Sequence, residues 1–241
     1  MKVALFIPCL SEHLFPESAI SMVKVFQHLG VEVEYVENQT CCGQPAFNSG
    51  YHKEIVPLAE RFIEMFHNKE YVVAPSGSCV TMVRKFYYDL DIREDLKPAL
   101  DELAGKIFEF TEFLADVAKV DDLGGSFPHR VTYHDSCHLN RELGIHEQPR
   151  RLIKGIRDID FIEMEQSDLC CGFGGTFSYK FSELSISMAA RKCNFIEKSS
   201  AEYCIGADSS CLMNIEGYLR KHKMQAHTMH IADLLAKSLG K

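Results

Sequence analysis

Apolar and polar positions along this chain form strand-like and helix-like blocks, and the blocks recur in the same order twice. Lys2–Pro8 (KVALFIP) is an unbroken apolar run, as a strand covered on both faces would be. Between Pro16 and Leu29 the residues Ile20, Val23, Phe26 and Leu29 fall at helical spacing, and Gly30 ends the pattern. Val31–Val36 alternates and predicts a second strand. His52–His67 sets Ile55, Leu58, Ala59, Phe62 and Met65 on one side of a helix, and Tyr71–Ala74 predicts a third strand. Pro75–Ser78 turns the chain into a helix opened by Cys79, and a short strand at Lys106–Phe110 leads to a helix beginning at Glu112–Val117. Val120–Pro128 (VDDLGGSFP), with its acids, glycines and proline, reads as a linker.

Beyond it the pattern restarts. Arg130–His134, Asp160–Met164, Ala201–Ala207 and Gln225–Met229 predict strands. Gln148–Ile156, Phe181–Lys198 and His230–Leu239 predict helices, the last with Ile231, Leu234, Leu235 and Leu239 inward. Wording repeats as well as order: Ser76-Gly77-Ser78-Cys79 stands opposite Asp208-Ser209-Ser210-Cys211. A repeat of this length implies duplication of a whole α/β unit, whose strands run parallel through right-handed crossovers. The expected architecture is α/β: two tandem Rossmann-like lobes, residues 1–122 and 129–241, each with a mainly parallel sheet flanked by helices.

Composition narrows the function. The length of 241 residues suits one large domain or two lobes, and 46% apolar residues support a full core. A net charge of −8 argues against a nucleic-acid or anionic-membrane partner. No apolar run approaches a membrane span, which points to the cytoplasm. Thiols stay reduced there, so ten cysteines point to metal or redox chemistry rather than structural disulfides.

The cysteines are patterned. Cys41-Cys42-Gly43 has a counterpart in Cys170-Cys171-Gly172, which runs on into Phe173-Gly174-Gly175. There are 31 residues between Cys9 and Cys41 and 32 between Cys137 and Cys170; 36 separate Cys42 from Cys79 and 39 separate Cys171 from Cys211. Each gap is about one crossover helix plus one strand. Cys9, Cys41, Cys42 and Cys79 therefore meet at the C-terminal edge of one sheet, where α/β folds build sites, and Cys137, Cys170, Cys171 and Cys211 at that of the other. The Cys-Cys pair is expected on the middle strand, flanked by the other two cysteines. Metal binding needs thiolates. Ser78 and Ser210 are candidate N-caps that would put Cys79 and Cys211 in a first helical turn, where the helix dipole favours an anion. Four sulfurs suit a four-iron cluster or a tetrahedral zinc ion, and spacing does not separate the two.

These motifs resemble the cysteine-rich CCG-domain proteins, in particular the lactate utilization protein A branch. The family pattern of a Cys, a Cys-Cys-Gly and a C-x-x-C covers essentially the whole chain, twice. The related CCG chain of heterodisulfide reductase carries four-iron clusters on a five-cysteine motif. Here Ser76 and Asp208 stand where the first cysteine of each C-x-x-C would be, which leaves four thiols per site. The resemblance implies an iron–sulfur electron-transfer subunit of a complex oxidising L-lactate to pyruvate. It implies one [4Fe-4S] cluster per lobe, with the eight motif cysteines as ligands, and other iron–sulfur subunits as partners. Another 2-hydroxy acid such as glycolate is an alternative substrate. Zinc binding, or thiol–disulfide chemistry at the Cys-Cys pairs, is the competing class.

Other candidates are weighed against ordinary structural roles. Cys193 and Cys204 have no counterpart in the first half and read as core residues. His134, Asp135 and His138 flank Cys137 and could hydrogen-bond a cluster sulfur or supply a ligand, against a structural role for a strand-end histidine. Arg141, Arg150 and Arg151 could attract a carboxylate, against plain surface arginine. His227 and His230 read as scaffold. No nucleotide-binding glycine fingerprint is present, and no catalytic residue is assigned.

Overall fold

The strands of the first half form one parallel sheet and those of the second half another, in a computed structural model that describes residues 1–241. β1 (Lys2–Leu5), β2 (Glu32–Tyr35), β3 (Tyr71–Ala74) and β4 (Ile107–Glu109) lie in the order β2-β1-β3-β4. β5 (Arg130–Tyr133), β6 (Asp160–Phe161), β7 (Tyr203–Gly206) and β8 (His227–His230) repeat it as β6-β5-β7-β8. All pairings are parallel. The chain winds outward from β1 to β2, then crosses back to β3 and β4. Connections leaving β1 and β3 therefore diverge, opening a crevice at their C-terminal ends. The α/β reading, with two tandem Rossmann-like lobes, holds.

The first half carries α1 (Cys9–His13), α2 (Pro16–His28), α3 (Gln44–Phe47), α4 (His52–Phe66), α5 (Gly77–Arg84), α6 (Lys97–Ala104) and α7 (Phe110–Glu112, continued to Val117 by a π-helical turn). The second carries α8 (Glu147–Lys154), α9 (Phe177–Lys180), α10 (Ser182–Lys198), α11 (Ser209–Lys221) and α12 (Ile231–Ser238). Spacing decides which faces are buried: α4 buries Ile55, Ala59, Phe62, Ile63 and Phe66, one stripe of a 3.6-residue period. Nothing in the spacing predicts structure over 85–104, where two 3-10 turns and α6 occur; Pro98 starts that helix and Leu100 and Leu103 bury it. The strand expected at Asp160–Met164 is cut to two residues, because Glu163 turns aside to pair with Arg150.

The two lobes are packed as one body. The largest core, of 27 buried residues, draws Val3, Leu5 and Val73 from one sheet and Val131, Tyr133 and Ile205 from the other. Helices cross between halves: α12 packs on α2, where Ser18 donates to Asp233 at 3.2 Å, and the α7 extension packs on α8, where Gln148 donates to Asp116 at 2.6 Å. The segment read as a linker is a packed strap. Its Leu123 and Phe127 belong to that shared core, and the Ser126 amide donates to the Ser238 carbonyl at 2.9 Å. The strap is built in because its two apolar residues find the groove between the lobes. Ser76 and Asp208 form an isolated β-bridge between lobes. No helix is long and apolar enough to cross a membrane.

Candidate functional site

Cys9 is the first residue of α1, directly beyond β1; Cys137 opens a π-helical turn directly beyond β5. Cys79 and Cys211 sit in the first turns of α5 and α11, beyond β3 and β7. The Cys-Cys pairs do not follow a middle strand, as expected, but the edge strands β2 and β6. An edge loop must fold back over the sheet to reach the site, and each lobe pins that loop differently. In the first, the Gln39 side chain donates to the Leu5 and Val36 carbonyls at 3.0 and 2.8 Å and accepts from the Ile7 amide at 2.7 Å. In the second, Ser167 donates to Asp135 at 2.7 Å, and Arg150 grips the same carboxylate through two bonds of 2.8 and 2.7 Å. Lys192, fully buried, donates to the Gln166 and Ser167 carbonyls at 3.0 and 2.9 Å. Burial alone would raise the Asp135 carboxyl, but the Arg150 guanidinium outweighs it and holds the group below the ordinary range.

The corners themselves need glycine. Gly43 and Gly172 have φ of 90° and 87°, a region that side chains avoid. The carbonyl of each second cysteine is tethered: Tyr87 donates to that of Cys42 at 3.0 Å, and Asn214 to that of Cys171 at 2.8 Å. The structure thus gathers both quartets. The Cys9 sulfur lies 3.6 Å from that of Cys41, and the Gly43 and Gly172 amides each donate to a first-cysteine sulfur at 3.4 Å. None of the cysteines is in a disulfide.

Crowding four thiols together divides their protons unequally. Hydrogen bonds from the Cys42 and Cys9 thiols, with the Gly43 amide, bring Cys41 down to about 3. In the second lobe the Cys137 and Cys171 thiols bring Cys170 down to about 2. Their donors are correspondingly pushed up: Cys9 and Cys42 chiefly by Cys41, Cys137 and Cys171 chiefly by Cys170. In each quartet the first cysteine of the Cys-Cys pair is thus the readier thiolate, the form that binds a metal cation. Such a set of sulfurs fits zinc or an iron–sulfur cluster.

Both quartets open on one cavity of about 360 Å³, lined by all eight motif cysteines. Across it the lobes touch through Gln44, whose amide faces a His138 ring nitrogen at 3.4 Å, and through Ser49 and Thr176, 2.9 Å apart. The helix caps fall two residues earlier than expected, at Ser76 and Asp208 rather than Ser78 and Ser210. Ser76 accepts from the Cys79 amide at 3.4 Å. Asp208 caps nothing with its side chain. Its buried carboxylate instead accepts from the Ser76 and Ser78 hydroxyls, both at 2.9 Å, the Ser78 amide at 3.1 Å and the Ser136 hydroxyl. The hydroxyl and carboxylate at the two C-x-x-C positions thus bind each other across the lobe interface.

Of the other candidates, His138 lines the cavity; the rest do not. Cys193 and Cys204 are fully buried in a core, where burial raises both thiols to about 12. Arg150 is consumed by Asp135 and Glu163, and Arg151 pairs with Asp116 and Asp121 at 3.2 and 2.7 Å. His230 is structural: Nδ1 accepts from the Ala232 amide at 3.2 Å, and Nε2 faces the Pro75 carbonyl at 3.1 Å. His134 is buried, and neither ring nitrogen has a hydrogen-bond partner of ordinary geometry. Gln44, Asn48, Thr176 and Ser136 also line the cavity. Sequence reasoning missed them because single polar residues in loops and at helix ends carry no period. Lys192 had a readable signal: a lysine on the inward face of the α10 pattern.

Comparison with known proteins agrees with this architecture. The family model described as "Cysteine-rich domain" (CCG) matches residues 3–84 and again 131–216. The chain is 45% identical over 236 residues to "Lactate utilization protein A" of an Exiguobacterium species, covering 97% of this chain and 96% of that protein. It is 43% identical over 235 residues to the protein of the same name from Oceanobacillus iheyensis, covering 98% and 96%. A crystal structure of a hypothetical protein from Helicobacter pylori shares the fold with a TM-score of 0.66 at 11% identity; the alignment covers 100% of this chain and 49% of that one.

Proposed function

The chain belongs to the lactate utilization protein A branch of the cysteine-rich CCG family, and from that premise we propose that it is the iron–sulfur electron-transfer subunit of a cytoplasmic complex oxidising L-lactate to pyruvate. Cys9, Cys41, Cys42 and Cys79 would hold one centre, and Cys137, Cys170, Cys171 and Cys211 the other. The observation that carries the reading is the single cavity onto which all eight thiols open. Two lone ions buried among their sulfurs would leave that space without a use. A bound four-iron cluster supplies one-electron transfer. The protein's part is to fix the sulfurs through Gly43, Gly172, Tyr87 and Asn214, and to screen the site with the Pro8, Pro45 and Phe173 walls.

Lactate oxidation releases two electrons and two protons, and a lactate carboxylate asks for a cation or a bidentate arginine. The 25 residues lining the cavity include no lysine or arginine. This favours an electron carrier whose substrate is held elsewhere in the complex. Partner chains would carry the substrate site and further centres.

Anaerobically purified protein should be brown and hold iron and sulfide in both sites. Cys41→Ser and Cys170→Ser should each remove one site's share. Colourless protein that binds neither iron nor sulfide after reconstitution would overturn the reading. Zinc is the second reading, favoured by one distance. Four sulfurs about 2.3 Å from one ion stand about 3.8 Å apart, close to the 3.6 Å between Cys9 and Cys41. One zinc per site without sulfide would establish it.

A further inference from the structure

The two lobes differ most sharply at one pair of buried positions. The Phe6 amide donates to the Val73 carbonyl at 3.0 Å, and the His134 amide makes the same bond to Ile205 at 2.8 Å. Phe6 and His134 are therefore equivalent. A Cβ on Gly43 would meet Ile55 and Leu58, and one on Gly172 would meet Ser185 and Met188, which aligns α4 with α10 and Phe62 with Lys192. In the first lobe Phe6 and Phe62 pack edge to face with centroids 4.7 Å apart. In the second, a histidine and a lysine fill those places, both buried.

Lys192 is explained by the two carbonyls it binds. His134 is not explained by any well-formed hydrogen bond: the residue is 1% exposed, neither ring nitrogen has a partner of ordinary geometry, and the Ser167 carbonyl that approaches the ring is already taken by Lys192. Leaving such a group unpaired is unfavourable, and a phenylalanine would avoid that cost, as the first lobe does. One ring nitrogen and the Cys171 and Cys211 sulfurs all lie within 4.8 Å of one another. A metal ion among them would complete the orphaned ring's bonding. We infer that the His134 imidazole is a nitrogen ligand of the metal centre held by Cys137, Cys170, Cys171 and Cys211, and that the first lobe, with Phe6 in that place, binds its metal through sulfur alone. The inference rests on the reading of the second quartet as a metal centre. It makes the two centres chemically unlike, one with mixed nitrogen and sulfur donors.

The test is electron–nuclear double resonance on the full chain, reconstituted anaerobically with iron and sulfide and grown with either ordinary or ¹⁵N-labelled histidine. The expected result is a strongly coupled nitrogen whose frequencies change with the label. It disappears in His134→Phe and persists in His138→Leu, which controls for the second histidine near the thiols. The labelled wild-type protein needs no variant, so a folding defect in His134→Phe does not blunt the test. Iron bound and reduced to a paramagnetic state with no histidine coupling overturns the inference, as does coupling that survives His134→Phe. The same measurement on cobalt(II)-loaded protein separates the two levels. Cobalt coupling to His134 without iron uptake keeps the ligand and rejects the cluster. Cobalt bound without nitrogen coupling, or no metal bound at all, rejects the ligand.

Discussion

Glu109 ends β4 and is fully buried, and its position yields a pH dependence that can be worked out. One carboxylate oxygen, Oε2, accepts from the Thr111 and Glu112 amides at 2.7 and 3.3 Å and from the Thr111 hydroxyl; the other is buried without a partner. Burial is the largest influence and outweighs these bonds, raising the carboxyl from 4.5 to about 8. The folded state thus keeps a proton that the unfolded chain has released. The stability tied to this proton is fully present below about pH 4.5 and is lost as pH rises through about 8. Each pH step inside that window costs about 1.4 kcal/mol, so the loss is roughly 3 kcal/mol at pH 7 and about 5 kcal/mol above pH 8. Glu109→Gln keeps the accepting oxygen and cannot ionise. Urea unfolding of both proteins from pH 5 to pH 9 should give nearly matching stabilities at the acid end. The variant should be more stable by about 3 kcal/mol at neutral pH and by somewhat more at pH 9. Taking the difference cancels every other titrating group. A difference that stays flat with pH, or that favours the wild type as pH rises, would refute the reasoning.

Four further substitutions have outcomes set by the geometry around them. Gly172→Ala puts a Cβ 2.8 Å from the Ser185 carbonyl at a φ of 87°, so metal analysis should find the second site's share lost and the first retained. Gly43→Ala meets the tip of Leu58 most closely, at 3.2 Å, and should lose less metal from its own site. Asp208→Ala strands three serine hydroxyls and an amide at the lobe interface, and calorimetry or urea titration should register a loss of about 2–4 kcal/mol. Arg150→Met leaves the Asp135 carboxylate buried without its partner; at neutral pH the expected loss is about 3–5 kcal/mol, read by urea titration.

Much of this fold was legible because duplication shows itself twice. Tyr71–Ala74 appears as a strand at the bounds its pattern suggests, and the spacing of Cys9, Cys41 and Cys79 already implied three loops at one sheet edge. The strand order was not legible. A chain pattern orders β1, β2 and β3 in sequence, whereas the chain reverses direction across the sheet after β2, which puts β1 inside and sends the Cys-Cys loop to an edge. Nor was the meeting of the two sites in one cavity, since that depends on how α12 lies on α2 and how the strap carrying Leu123 and Phe127 fills the groove. The caps were misplaced by two residues for a local reason. Ser76 and Ser78 are equally good cap residues, as are Asp208 and Ser210, and only the extended backbone at Ser76 and Asp208, with φ of −163° and −129°, chooses between them.

The bond between Ser76 and Asp208 bears on how such a chain arises. The two residues occupy corresponding positions in the repeats, so they lie on the approximate dyad relating the halves. In a homodimer of one half, whatever residue stood there would face its own copy. Aspartate would confront aspartate across a buried contact, and neither carboxylate could take the hydrogen bond it now receives. Joining two copies into a single polypeptide lifts that requirement of identity, and the dyad can carry a donor on one side and an acceptor on the other. The same freedom lets the equivalent positions Phe6 and His134 hold different residues. A fused chain holds two unlike halves in fixed one-to-one proportion, which no assembly of identical subunits can do.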